Sequence, residues 1–343
     1  MAAPTTLDIP GPDGAERSVR LSSPDREVWP ATESSSALTK ADLAGYVQAV
    51  GSALVSALGD RPVTLQRFPT GIEGEEFYSK NPPRGVPEWV RTTSCTYPSG
   101  RRHPQLVVDE VATAVWAVQM NTVTFHPWPV RTGDNDNPDE VRIDLDPQPE
   151  RSFADVVEVA LGLREVMQGI GLRPFVKTTG NRGVHVHAAI RPQWEFLVVR
   201  HAVIGIAREL ERRMPELVCT AWWKEERGEK VFVDFNQACR DRTLAAAYSP
   251  RPLPGAPVST PVSWDEVIGL DPTDLTVHTV PDRLRERGDP WAYLHADPGD
   301  LSGALDLWES DLERGLGEMA FPPDYPKMPG EPRRVQPSRK RTD

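Results

Sequence analysis

The stretch Val141-Arg142-Ile143-Asp144-Leu145-Asp146 constrains this chain more than any other. Apolar and polar residues alternate without a break, which is the period of a β-strand. Asp144 and Asp146 therefore project from one face, about 7 Å apart along the backbone. Val141, Ile143 and Leu145 fill the opposite face. Two like charges side by side cost stability unless something cationic lies between them. Hard oxygen ligands of this kind suit Mg2+ or Mn2+. A solvent-facing strand edge would tolerate the same pattern, but the apolar flanks and the long helical pattern that follows argue for a central strand.

The neighbouring segments extend this strand into a sheet. Ser152 caps a helix running to about Ile170 and ended by Gly171. Strands at 174–178 and 184–190 are joined by Thr179-Gly180-Asn181-Arg182-Gly183. A helix from Trp194 to Arg213 and a strand from Val231 to Phe235 follow. The order β-α-β-β-α-β over 141–235 predicts an α+β fold with helices on one face of a sheet.

Upstream, Thr39 and Asp42 form a capping-box pair, after which Leu43, Tyr46, Val47, Val50, Leu54 and Leu58 recur at helical spacing. Val63 to Phe68 alternates as a strand, and Asp109 suits the cap of a helix from Glu110 to Met120 that runs into a strand at 122–126. Residues 1–20, with the turn cluster Gly11-Pro12-Asp13-Gly14, read as an arm or edge hairpin. Beyond Tyr248 the chain is Pro-rich, with a short capped helix near Ser263 and another helix over 300–315. The expected organisation is an arm (1–20), a catalytic domain (21–325) and a disordered basic tail (326–343).

Other residues carry chemistry. His185 and His187 share a strand face, either as a metal pair or as two histidines at the rim of the core. Gly180 and Gly183 bracket Asn181 and Arg182, offering backbone N–H groups and a cation to an anion. Asp234 lies within Val231-Phe232-Val233-Asp234-Phe235, where a carboxylate is expensive unless paired or metal-bound; Arg227 and Lys230 are the ion-pair candidates. Three carboxylates able to hold two metals beside a cationic Gly-rich loop make a phosphoryl-transfer centre.

The motifs Arg142-Ile143-Asp144-Leu145-Asp146-Pro147, Val176-Lys177-Thr178-Thr179-Gly180-Asn181-Arg182-Gly183-Val184-His185-Val186 and Val231-Phe232-Val233-Asp234-Phe235 occur in order. With Phe77-Tyr78-Ser79-Lys80-Asn81, His126-Pro127-Trp128 and Ala247-Tyr248-Ser249-Pro250-Arg251, they resemble the polymerase domain of bacterial DNA ligase D, in the archaeo-eukaryotic primase superfamily. The resemblance covers about residues 20–295, and the remainder has no room for a ligase lysine motif or a nuclease segment, so a stand-alone version is expected. It implies a primase/polymerase core with mixed and antiparallel sheets flanked by helices. It implies Asp144, Asp146 and Asp234 as catalytic residues holding two divalent ions, Mn2+ or Mg2+. Thr179, Arg182, His185, Arg227, Gln237, Arg251 and His126 would bind the NTP or dNTP. Phe77, Tyr78 and Lys80 would contact DNA, and Ser23, Arg26 and Lys40 the 5′-phosphate of a gap. Thr179, Gln66 and Ser23 depart from the family's common Ser, basic residue and Asn. The implied activity is template-directed primer extension and short gap filling at broken ends during non-homologous end joining, tolerant of ribonucleotides, with an ATP-dependent DNA ligase and Ku as partners. A DNA-end-bridging module with weak or lost polymerisation is a second reading. A metal hydrolase that uses His187 as a ligand is a third.

Composition bounds these expectations. With 39 Lys+Arg against 50 Asp+Glu, the net charge of −11 excludes a broad basic wrap around nucleic acid. A local grip on a terminus stays open, because the acids concentrate at 134–150 and 281–325. Cys95, Cys219 and Cys239 form no Cys-x-x-Cys pair, so neither a zinc ribbon nor a disulfide framework is expected, and a reducing cytoplasm fits. No signal peptide and no apolar run of about 18 residues is seen, so no membrane partner is expected.

Overall fold

The computed structural model describes residues 2–33 and 35–322; the basic tail expected at 326–343 lies outside them. The chain opens as an antiparallel hairpin of β1 (Thr5–Pro10) and β2 (Glu16–Leu21), whose Ile9, Val19 and Leu21 turn into the core. A second, smaller hairpin of β3 (Glu27–Trp29) and β4 (Leu38–Thr39) delivers the chain to α1 (Lys40–Ala49). The capping box is present: Thr39 Oγ1 accepts from the Asp42 N–H, and the Asp42 carboxylate accepts from the Thr39 N–H. The apolar run does not continue as one helix. It breaks at Val50, and α2 (Gly51–Leu58) leaves at 77°.

A five-stranded sheet follows, built from β5 (Pro62–Arg67), β6 (Phe77–Ser79), β7 (Thr92–Thr96), β8 (Arg102–Val107) and β9 (Thr122–Pro127). β9 runs along one edge of β5, while β6 and β8 share the other. Between β8 and β9 lies α3 (Val111–Gln119), where expectation and structure part. Glu110, not Asp109, precedes the helix and makes no side-chain cap; the Asp109 carboxylate instead accepts from Arg91 Nη1 at 2.8 Å. A distant cation outcompetes the local cap.

The second half builds the larger sheet from β10 (Glu140–Pro147), β11 (Phe175–Thr178), β12 (Val184–Ala189), β13 (Val218–Cys219), β14 (Val231–Asp234) and, after the short β15 (Ser249–Pro250) and β16 (Val258–Ser259), β17 (Pro261–Val262). The strand order is β13-β14-β10-β12-β11-β17, antiparallel throughout except for the β13/β14 pair. β10 is therefore central. Val141, Ile143 and Leu145 are fully buried on the face covered by α4 (Phe153–Gly169) and α5 (Phe196–Arg213). Ser152 caps α4 reciprocally with Asp155, and Gly171 follows its end at φ 81°. No helix forms at Ser263; its Oγ accepts from the Glu266 N–H in a turn. The helix lies further on, as α6 (Val280–Arg287), hidden from periodicity because only Val280 is buried. α7 (Ser302–Glu313) then packs on α5.

Buried charges join the two sheets. Arg61, fully buried before β5, binds Asp139 Oδ1 and Oδ2 at 2.5 and 2.9 Å and also reaches Glu140. Arg142 pairs with Glu140 at 2.7 Å and donates to the Pro127 and Trp128 carbonyls at the end of β9. Removing one member strands the others without solvent, so Arg61→Ala is expected to lower unfolding free energy by about 3–5 kcal/mol. Urea unfolding followed by Trp fluorescence checks this; a loss under about 1 kcal/mol would show the network to be dispensable.

Candidate active site

Register brings the site together. Asp144 on β10 faces Asp234 on β14 across one edge and His185 on β12 across the other, and His185 in turn faces Lys177 on β11. One row thus crosses four strands on the face away from α4 and α5, with Asp146 two residues further along β10. His185 Nε2 lies 3.3 Å from Asp144 Oδ1 and its Nδ1 2.7 Å from Lys177 Nζ; Lys177 also reaches Ser259 Oγ. Asp234 is held by its own turn: Oδ1 accepts from the Asn236 N–H at 2.9 Å and Oδ2 from Gln237 Nε2 at 2.8 Å.

The carboxylates are under electrostatic load. Burial pushes Asp144 up to about 6 against the pull of Lys177 and Arg251, while burial and then Asp144 itself push Asp234 to about 6. Burial and Asp144 also raise Asp146, whose nearest cation, Arg227 Nη1, stands 3.9 Å away. Lys230, an expected ion-pair partner for Asp234, instead donates to the Pro215 carbonyl. Among the described residues no three His, Cys, Asp or Glu side chains are gathered tightly enough to encircle an ion. The donor set nonetheless fits a divalent cation: hard oxygens, opposed across a strand pair, that stay raised despite the pull of Lys177, Arg251 and Arg227.

Opposite the acids lies the glycine loop. Thr179 Oγ1 accepts from the Asn181 and Gly183 N–H groups at 3.1 and 3.2 Å. Gly183 is required by proximity, since a Cβ there would sit 2.6 Å from the Leu145 carbonyl oxygen. Arg182 Nη2 donates to the carbonyls of Gln148, Pro149 and Arg151 at 2.8–3.1 Å, which pins its guanidinium beside the acidic strand. Thr179, Arg182, His185, Arg251 and His126 line one cleft of about 340 Å3 with Asp144 and Asp146.

The other expected residues are not among those that line this cleft. Gln237 serves Asp234, and Arg227 lies over the Phe232 ring, donating to the Ala221 and Trp222 carbonyls. Phe77 and Tyr78 stand exposed on β6, with Tyr78 edge-on to His126 at 5.5 Å. Lys80 pairs with Asp241 at 3.3 Å. Ser23, with φ 48°, turns the chain so that the Arg26 carbonyl accepts from the Lys40 N–H. Arg26 reaches Asn121, while the buried Lys40 ammonium donates to the Ser22 carbonyl and Gln119 Oε1 at 3.1 and 2.8 Å. Burial and then the Arg26 charge lower Lys40 to about 8.

The His185/His187 pair is divided. His187 opposes Arg142, bonds Glu140 at 3.2 Å and tilts against Trp291, away from the three acids. Lys177 and Ser259 were not singled out from sequence. Lys177 could have been, because alternation puts it on the face of β11 that meets His185; Ser259 comes from an irregular segment with no such signal.

An acidic strand pair facing an anion-binding loop is the equipment of a polymerase- or primase-like nucleotidyltransferase. Residues 39–291 match the family described as LigD, primase-polymerase domain, and the chain belongs to that family. It is 30% identical over 323 residues to the multifunctional non-homologous end joining protein LigD of Mycolicibacterium smegmatis, covering 92% of this chain and 41% of that protein. With the Pseudomonas aeruginosa LigD it shares 32% identity over 308 residues, covering 88% and 35%. The polymerase domain from Mycobacterium tuberculosis ligase D, solved in complex with DNA, matches with a TM-score of 0.75 at 28% identity, covering 82% of this chain and 99% of that one. The chain thus spans well under half the length of these curated relatives.

The raised carboxylates have a thermodynamic consequence. A carboxylate whose folded pKa exceeds its unfolded value opposes folding once ionised; the penalty grows as pH rises from about 4 and is complete above about 6. Asp144→Asn and Asp234→Asn are therefore expected to raise the melting temperature by a few degrees at pH 7.5 in EDTA, with the gain shrinking toward pH 4. Calorimetry across that range checks it; a gain that grows on acidification would contradict the assignment.

Proposed function

We propose that this chain is a template-directed nucleotidyltransferase that extends primers and fills short gaps at DNA breaks during non-homologous end joining, accepting ribonucleotides. The observation that carries the reading is the register that opposes Asp144 to Asp234 and to His185, with Asp144, Asp146 and His185 lining a cleft shared with Thr179 and Arg182.

Divalent ions held by Asp144, Asp146 and Asp234, Mn2+ or Mg2+, would acidify the primer 3′-hydroxyl and neutralise charge on the triphosphate and leaving pyrophosphate. The chain's own groups do the rest. Thr179, Arg182 and Arg251 orient the phosphates through hydroxyl and guanidinium donors, and His185, held between Asp144 and Lys177, lines the nucleotide site beside them. Gln237 fixes the Asp234 carboxylate and Arg227 tempers the charge of Asp146. The exposed rings of Phe77 and Tyr78 offer a stacking surface to bases, a contact that tolerates any sequence. Lys80 flanks them as a contact to the DNA backbone. Arg26, Lys40 and Ser23 form the pocket for a 5′-phosphate, its grip tempered because Lys40 already serves two internal acceptors. The substrate is gapped or broken DNA, the partners are an ATP-dependent DNA ligase and Ku, and the setting is the cytoplasmic nucleoid.

Primer extension on a gapped template tests the reading. Wild-type protein is expected to extend with Mn2+, and Asp144→Ala/Asp146→Ala to abolish extension while leaving the far-ultraviolet circular dichroism unchanged. Undiminished extension by the double variant would contradict the proposal.

A further inference from the structure

Gln66 on β5 links two residues at the rim of the cleft. Its Nε2 donates to Glu76 Oε1 at 3.1 Å, and its Oε1 lies 3.1 Å from His126 Nε2. The polarity of this chain follows from chemistry. A carboxylate only accepts, so the amide end facing Glu76 is the NH2 group. The carbonyl end then faces His126, and the nitrogen opposite it must carry a proton. A neutral imidazole has one proton, which leaves Nδ1 as a lone-pair acceptor. Burial, with Arg251, Lys177 and His185 nearby, keeps the ring neutral by pushing its pKa down to about 3. His126 lines the same cleft as Asp144 and Arg251. Among the described residues its ring bonds only through Nε2, to Gln66, and Nδ1 has no donor.

We propose that Glu76 and Gln66 are positioning residues that fix His126 as a hydrogen-bond acceptor in the cleft, so that the site selects for a substrate hydroxyl. The inference rests on the polymerase reading of the cleft. The chemistry required is an O–H donor, supplied either by a sugar hydroxyl of the incoming nucleotide or by the primer 3′-hydroxyl. Deoxygenated positions cannot satisfy Nδ1, and a phosphate oxygen would repel it.

Single-nucleotide incorporation of ATP, 2′-deoxy-ATP and 3′-deoxy-ATP tests this in wild type, Glu76→Gln, Glu76→Lys and Gln66→Lys. Glu76 is exposed, so substitution there spares the fold. Glutamine at 76 can still accept through its carbonyl and keeps the relay. Lysine at 76 only donates, which turns the Gln66 amide, presents NH2 to His126 Nε2 and moves the ring proton to Nδ1; Gln66→Lys does so directly. If the nucleotide supplies the hydroxyl, the kcat/KM preference for ATP over the analogue lacking that hydroxyl falls about tenfold in both lysine variants and holds in Glu76→Gln. If the primer supplies it, kcat falls about tenfold for all three nucleotides in the lysine variants alone. Unchanged kinetics in both lysine variants would overturn the proposal. Nitrogen-15 NMR of His126 gives a readout independent of turnover: an Nε2–H tautomer is expected in wild type and Glu76→Gln, and Nδ1–H in Glu76→Lys. An Nδ1–H wild type would overturn the relay. Failure of wild type to extend with any nucleotide would instead remove the polymerase reading, with the NMR result still deciding the relay.

Discussion

Asp144 and Asp234 face one another because β10 and β14 pair in a single antiparallel register, and a slip of one residue would turn one carboxylate into the helix-covered core. The apolar alternation of β10 forbids that slip, since Val141, Ile143 and Leu145 have no other place to be buried. Hydrophobic packing on one face thereby enforces an electrostatic conflict on the other. Burial keeps the conflict strong, and Gln237 and the Asn236 N–H hold Asp234 in place rather than letting it swing away. The rest of the cleft follows from the same register: His185 is brought to Asp144, and the glycine loop between β11 and β12 is delivered to the end of β10, where Gly183 meets the Leu145 carbonyl.

The acidity of the chain divides along the same lines. Asp139 and Glu140 are matched by Arg61, Arg131 and Arg142, so two of the seven acids in the segment 134–150 are internal counter-charge. In the C-terminal acidic region Asp311 meets Arg208 and Arg212 from α5, and Glu318 meets Arg200 and His201. At the active site, by contrast, burial raises Asp144, Asp146 and Asp234, and Asp144 raises the other two further. A net charge of −11 is thus compatible with a site that grips phosphates locally.

What the sequence made legible was local and periodic. The alternation at 141–146, the capping boxes at Thr39 and Ser152 and the glycine-bracketed loop each carry their cause within a few residues, and the structure has them. What stayed hidden depends on distant partners. Asp109 reads as a cap until Arg91 claims it, and α6 shows no apolar stripe because only Val280 is buried. Gln66 is one of several polar residues in its strand until folding sets it between Glu76 and His126. Arg182 could be read as a free cation, whereas three backbone carbonyls hold it in place.

The proposed cation site depends on the opposition of Asp144 and Asp234, both raised by burial. Isothermal titration calorimetry with Mn2+ on the DNA-free protein at pH 7.5 tests it most directly. Saturable binding is expected in wild type, with its loss in Asp144→Asn and in Asp234→Asn and the fold retained. Equal Mn2+ affinity in wild type and both variants would contradict it.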